Sequence, residues 1–177
     1  IMDKVWFITG CSTGFGRELA KCVLKLGYKA VVTSRNTNDL KDIITSYEDS
    51  AIVVALDVTK LEDINTAVTQ ALQKFGRIDV LVNNAGIGYF GAIEESEEDE
   101  VRRMFEINFW GLTHVTKAIL PLMRKQRSGH IINISSIGGL VAFPALGFYN
   151  ATKFAVTAYS EALAKETAHL GIKVTNV

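Results

Sequence analysis

The sequence predicts an α/β fold in which helices cover one doubly wound sheet of parallel strands. Three observations predict it. Short runs of β-forming residues alternate six times with segments of helical period, the connections between them are short, and no repeat, linker or low-complexity stretch interrupts the pattern. The 177 residues are therefore expected to form a single domain, 1–177, long enough to bury a sizeable core.

Residues 4–9, KVWFIT, are an apolar run that stops at Gly10, as a strand buried on both faces does. Residues 15–26 place Leu19, Ala20, Val23, Leu24 and Leu26 at helical period and end at Gly27. KAVVTS at 29–34 is a second strand, 40–47 a weaker helix, and AIVVALD at 51–57 a third strand. A helix over about 60–75 stops at Gly76, and IDVLV at 78–82 is a fourth strand running into Asn83-Asn84-Ala85-Gly86. Ser96 to Asp99 fits a capping box ahead of a long helix reaching about Gln126, with Pro121 expected to kink or shorten it. Residues 130–135 form a fifth strand, 149–170 a helix ended by Gly171, and 172–177 a sixth strand.

Composition narrows the function. Nineteen basic and nineteen acidic residues cancel, which gives no support for a nucleic-acid or anionic-membrane partner. The longest uncharged stretch, 131–152, could span a bilayer by length, but its polar residues and glycine clusters argue against it. Cys11 and Cys22 make no framework, and His114, His130 and His169 share no ligand spacing. We expect a soluble cytoplasmic protein with reduced thiols and no metal. The acidic run 94–100 reads as a helix start whose carboxylates face water and the positive dipole end.

The turn after the first strand reads TGCSTGFG, with glycines at 10, 14 and 16. Gly10 lets the chain leave the strand sharply, and Gly14 and Gly16 let a helix N-terminus approach a pyrophosphate. At the end of the second strand, an acid would bind a free ribose 2′-hydroxyl; Ser34-Arg35-Asn36 offers instead a guanidinium suited to a 2′-phosphate. The expectation is NADP(H), with NAD(H) possible. Arg17, in the first helical turn, either assists or points to solvent.

Between Ser136 and Lys153 lies a second candidate. Tyr149 and Lys153 are one helical turn apart, on one face. Bringing a Tyr pKa from about 10 to near 7 needs roughly 4 kcal/mol, which one cation about 4 Å away can supply at an effective dielectric of about 20.

These motifs occur in one order: TGCSTGFG, LDV at 56–58, NNAG at 83–86, Asn108, Ser136, and Tyr149 with Lys153. The pattern resembles the compact branch of the short-chain dehydrogenase/reductase family and covers nearly the whole chain. The extended branch of epimerases and dehydratases requires Gly at 13, where this chain has Thr. The resemblance implies a Rossmann-type sheet and a hydride transfer between NADP(H) and an alcohol or carbonyl. It implies Tyr149 as general acid/base, Lys153 as the group that tunes it and binds the nicotinamide ribose, and Ser136 as the residue that steadies the substrate oxygen. Ser136 is preferred to Ser135 because it has the family spacing to Tyr149. The resemblance gives Asn108 a relay water. Gly10, Ser12, Thr13, Gly14, Phe15 and Gly16 would hold the pyrophosphate, and Ser34, Arg35 and Asn36 the 2′-phosphate. Asp57 and Val58 would contact the adenine, and the Asn83, Asn84, Ala85, Gly86 run would lie near the adenosine ribose.

Members also pair as homodimers or homotetramers through the long helix, where Phe105, Phe109 and Trp110 suggest an apolar face, and through the Tyr149 helix. They continue past a sixth strand into a substrate-covering segment and a last strand, both of which this chain is expected to lack. Leu140, Val141, Phe143, Leu146 and Phe148 fit a greasy pocket or the core equally well. A small-molecule carbonyl or alcohol, apolar in character, is the expected substrate. The alternative from another class is a nucleotide-sensing protein that keeps the fold without turnover.

Overall fold

The computed structural model describes residues 4–177. Among them, β1 (Val5–Ile8), β2 (Lys29–Ser34), β3 (Ala51–Ala55), β4 (Val80–Asn83), β5 (Gly129–Asn133) and β6 (Ile172–Asn176) form one sheet. Its order is β3-β2-β1-β4-β5-β6, and every pairing is parallel. The chain winds outward from β1 to β3, returns to place β4 against β1, and winds outward again. The reversal between β1 and β4 opens a crevice at their C-terminal ends, the place where sheets of this kind take ligands.

Strand periodicity builds a core on each face. Phe7 pairs in register with Val31 and Leu81, and Leu81 with Ile131. This row packs with Ile64 of α3 (Leu61–Phe75), Val115 and Ile119 of α5 (Leu112–Gln126) and Leu163 of α6 (Gly147–Thr167). One residue on, Ile8 pairs with Val32 and Val82, and that row faces the other way. It meets Ala20, Val23 and Leu24 of α1 (Gly14–Lys25) and Ile43 of α2 (Lys41–Ile44).

Four local expectations change. The helix expected over 40–47 shrinks to a 3₁₀ turn, Thr37–Leu40, and the single turn of α2, with Ser46 at φ +72 beyond it. The capping box does not form: the Ser96 hydroxyl donates to Ala92 O, and Glu97 precedes α4 (Glu98–Phe105) without a side-chain cap. Glu98, Asp99 and Glu100 occupy that first turn, so the dipole favours the start that the cap leaves bare. Pro121 does not shorten its helix, because it and Lys117, whose carbonyl it cannot pair, both lie on the exposed side where water serves. The long helix is instead broken between α4 and α5 by a π turn, Glu106–Gly111. No helix among the described residues is long and apolar enough to cross a membrane.

Candidate active site

The turn after β1 is laced to the turn after β4. Thr9 Oγ1 accepts from Asn84 N and Ala85 N, both at 3.0 Å. Asn84 Nδ2 donates back to Thr9 O (3.0 Å) and Gly10 O (2.9 Å). Gly10 has φ +70, and a Cβ there would lie 2.8 Å from Ala85 Cα, so only glycine fits. Gly16 packs beneath Asn84 in the same way. The first turn of α1 has neither a side-chain cap on Thr13 nor an acidic residue. Its free N–H groups and dipole end are therefore available to an anion.

These turns border a cleft of about 500 Å³ that collects most of the residues expected to bind cofactor. Gly10, Ser12, Thr13, Phe15, Ser34, Arg35, Asp57, Val58, Asn84, Ala85 and Gly86 all line it. Burial pushes the Asp57 carboxyl up, but the Thr59 hydroxyl and N–H, with Lys60 and Arg35, outweigh that and hold it below the usual range. Gly14 and Gly16 shape the turn without lining the cleft. Asn36 is elsewhere too: its Oδ1 accepts from Asn38 N at 3.1 Å and caps the 3₁₀ turn. Arg17 turns away as well, donating to Asp39 O at 2.7 Å and pairing with Asp42.

Asn83 is removed from the cleft altogether. It is buried and in register with Asn133 and Asn176, a row of three asparagines across β4, β5 and β6. Asn83 Nδ2 donates to Asn133 Oδ1 (2.9 Å) and Thr116 Oγ1 (3.0 Å), and Asn133 Nδ2 donates to Ser160 Oγ (2.8 Å). The row ties the strand ends to α5 and α6; strand alternation aims Asn83 at the helices and leaves Asn84 for the crevice.

A second cavity, of about 830 Å³, shares Phe15, Asn84, Gly86 and Ile87 with the first and adds Ser136, Tyr149 and Lys153. Lys153 is only 7% exposed; its Nζ donates to Ile134 O at 2.9 Å and lies 5.8 Å from the Tyr149 ring centroid. Burial pushes its ammonium down to about 8. Ser136 Oγ accepts from Gly138 N at 3.1 Å. A Cβ on Gly138 would lie 3.5 Å from both Ser136 Oγ and Tyr149 Cε1, so the two side chains border the same glycine. Ser135 also lines this cavity, but its hydroxyl turns to α6, 3.3 Å from Lys153 O and from Thr157 Oγ1.

Asn108 sits in the π turn, and its amide is used by the protein. Oδ1 accepts from Ile87 N (2.8 Å), and Nδ2 donates to Ile87 O (2.8 Å) and Thr152 Oγ1 (3.2 Å). Only one Oδ1 lone pair is left for the expected water. Asn108 thus fastens the 85–88 segment to α6, one residue from Lys153.

The expected fold and family now have independent counterparts. A family model described as short chain dehydrogenase matches residues 4–177. The chain belongs to the short-chain dehydrogenase family. It is 41% identical over 175 residues to the oxidoreductase BOA17 of Botryotinia fuckeliana, covering 98% of this chain and 64% of that protein. It is 43% identical over 174 residues to a 3-ketodihydrosphingosine reductase of Bacteroides thetaiotaomicron, covering 98% of this chain and 62% of the other. The chain thus spans under two thirds of these relatives' length. Among solved structures, a short-chain dehydrogenase from Streptomyces avermitilis superposes at a TM-score of 0.95 with 44% identity, covering 99% of this chain and 65% of that one. ElxO with NADP bound gives 0.93 and 38% (99% and 72% covered). A family member from Burkholderia phymatum in complex with NAD gives 0.92 and 31% (98% and 64% covered). Its neighbours thus include both NADP- and NAD-bound proteins.

Sequence reading missed several residues at the site of this family member. Arg103 and Ile107 line the nucleotide cleft. They stand four apart on a stripe with Gly111, where a Cβ would strike Val58; that spacing is the signal that was available. Phe90, 65% exposed, sits edge-on to Tyr149 with ring centroids 6.0 Å apart, and no periodicity could have marked it. The five apolar residues between 140 and 148 are neither core nor lining of the two cavities: Leu140, Val141 and Phe143 are exposed, and Leu146 and Phe148 half-buried.

Proposed function

We propose that this protein is an NADP(H)-dependent oxidoreductase that interconverts an alcohol and its ketone or aldehyde. The observation that carries the reading is the buried Lys153 ammonium held beside Tyr149 within a trough continuous with the nucleotide cleft. The bare N-terminus of α1 and the close approach at Gly10 fit a dinucleotide pyrophosphate. Arg35 in the same cleft fits a 2′-phosphate. When bound, the cofactor supplies or accepts the hydride at its nicotinamide ring.

This chain's residues manage the proton. In the reductive direction the Tyr149 hydroxyl donates its proton to the substrate oxygen as the carbonyl carbon gains hydride, and Ser136 donates a hydrogen bond to the same oxygen. The Lys153 ammonium stabilises the negative charge that develops on the phenol oxygen. Asn108 holds the 85–88 backbone against α6 and offers its remaining lone pair to a water that returns the proton. A site built only to sense nucleotide has no use for a proton relay, so the set of Asn108, Ser136, Tyr149 and Lys153 disfavours the non-catalytic alternative. Phe15, Ile87, Phe90 and Ile134 around the second cavity fit an apolar substrate, and one relative is named a 3-ketodihydrosphingosine reductase.

The test is a panel of apolar ketones and aldehydes with NADPH and with NADH. Turnover favouring NADPH, and lost by at least about a hundredfold in Tyr149→Phe, is expected. A fully active Tyr149→Phe variant overturns the mechanism, and a preference for NADH overturns the role of Arg35.

A further inference from the structure

We propose that Asn150 is a positioning residue that sets Ser136 against Tyr149 for the reaction; the inference rests on the hydride-transfer reading above. Asn150 follows Tyr149 in the first turn of α6 and is 2% exposed. Its Oδ1 accepts from Phe143 N at 2.9 Å, its Nδ2 donates to Gly138 O at 3.0 Å, and its backbone N–H donates to Leu146 O at 2.7 Å. One residue thereby ties three segments: the 3₁₀ turn behind Ser136 (Ile137–Gly139), the apolar 140–146 loop, and the helix that carries Tyr149 and Lys153.

The chemistry of the side chain is specific. A backbone N–H and a backbone carbonyl face it side by side, so they need one acceptor and one donor on the same short stem. A flipped amide would put donor on donor and acceptor on acceptor. Gly138 is held from both ends, its N–H by Ser136 Oγ and its carbonyl by Asn150 Nδ2. A Cβ on Gly138 would strike Asn150 Nδ2 while touching Ser136 Oγ and Tyr149 Cε1. The amide is therefore packed against the glycine that both reacting side chains border. A substrate oxygen must reach both hydroxyls at once, and a shift of about 1 Å at such a site costs about a hundredfold in rate.

The experiment uses the full-length protein, NADPH and the best carbonyl from the panel. Asn150→Ala is expected to lower kcat about ten- to a hundredfold. It should leave the Kd for NADPH within about twofold, because Asn150 lines neither cavity. Asn150→Asp keeps the shape and separates positioning from bulk stability. Ionised, its carboxylate accepts from Phe143 N but repels Gly138 O; protonated, it donates to Gly138 O and restores the clamp. The ratio of Asn150→Asp to wild-type kcat should therefore rise as pH falls. A structural role alone gives a flat ratio, and a flat ratio overturns the proposal, as does an Asn150→Ala variant within about twofold of wild-type kcat. If the wild type binds NADPH but turns over no carbonyl, the hydride-transfer reading falls and this inference with it. Wild-type turnover that Asn150→Ala leaves intact sinks only the role of Asn150.

Discussion

At the scale of single residues, Lys153 is where function and stability oppose each other. Its ammonium is buried with one main-chain carbonyl as its hydrogen-bond acceptor, and burial lowers its pKa from 10.5 to about 8. Below about pH 8 the group is charged in both the folded and the unfolded chain, so the burial cost is present in full and constant. Between about 8 and 10.5 the folded state has lost a proton that the unfolded state keeps, and stability rises with pH. The rise amounts to about 3 kcal/mol. Lys153→Met, close in volume, should lack it. Urea denaturation of both proteins from pH 7 to 10.5 is expected to show the wild type gaining on the variant across that window, and parallel curves would refute the assignment. For the proposed reaction, loss of charge above about pH 8 would remove the support for the phenolate, so the reduction rate should fall on the alkaline side there. Tyr149 and Lys153 were legible because helical spacing fixes side-chain direction. Asn150 was not, because its partners, Gly138 O and Phe143 N, belong to a loop with no period.

At the scale of elements, the π turn Glu106–Gly111 does what a regular helix could not be read to do. Long apolar periodicity made one helix to Gln126 the natural reading, and an extra residue in one turn leaves little trace in such a pattern. π turns occur often at functional sites, and this one carries Asn108 and Ile107. Asn108→Ala would release both polar groups of Ile87 and the tie to Thr152. We expect a loss of about 2–4 kcal/mol in stability and weaker NADPH binding, measured by thermal unfolding with and without the nucleotide; unchanged binding would show that the 85–88 segment holds itself. On the same stripe, Arg103 lines the cleft that Asp57, Val58 and Thr59 also line, and pairs with Glu100 at 3.4 Å. A guanidinium there can lie against an adenine face, a contact shared by both cofactors. Arg103→Ala is expected to weaken 5′-AMP and 2′,5′-ADP equally, about fivefold by calorimetry. Arg35→Ala should weaken only 2′,5′-ADP. A loss confined to 2′,5′-ADP in Arg103→Ala would move that side chain to the phosphate.

At the scale of the whole molecule, the sheet was legible because its central strands β1, β2 and β4 are buried on both faces and its glycine stops are sharp, whereas the surfaces were not. Among the described residues, Trp110 is 48% and Phe154 43% exposed, on the π turn and on α6. Trp110 also shares a surface hollow with Phe105 and Phe148. Trp110 stacks on His114 and meets Phe109 edge-on, so the apolar ridge is held in shape rather than free to fold away. The zero net charge of the sequence puts no long-range repulsion between two copies. We propose that a second copy covers this ridge, as an isologous pair of the π turn with α6. Light scattering at micromolar concentration should then give an even multiple of the 19.4 kDa chain mass. Trp110→Glu places a carboxylate in the covered patch and should shift the mass to that of one chain, with cofactor binding intact because Trp110 lines neither cavity of the trough. A wild-type mass of one chain, or a Trp110→Glu variant that still pairs, removes this face as the interface.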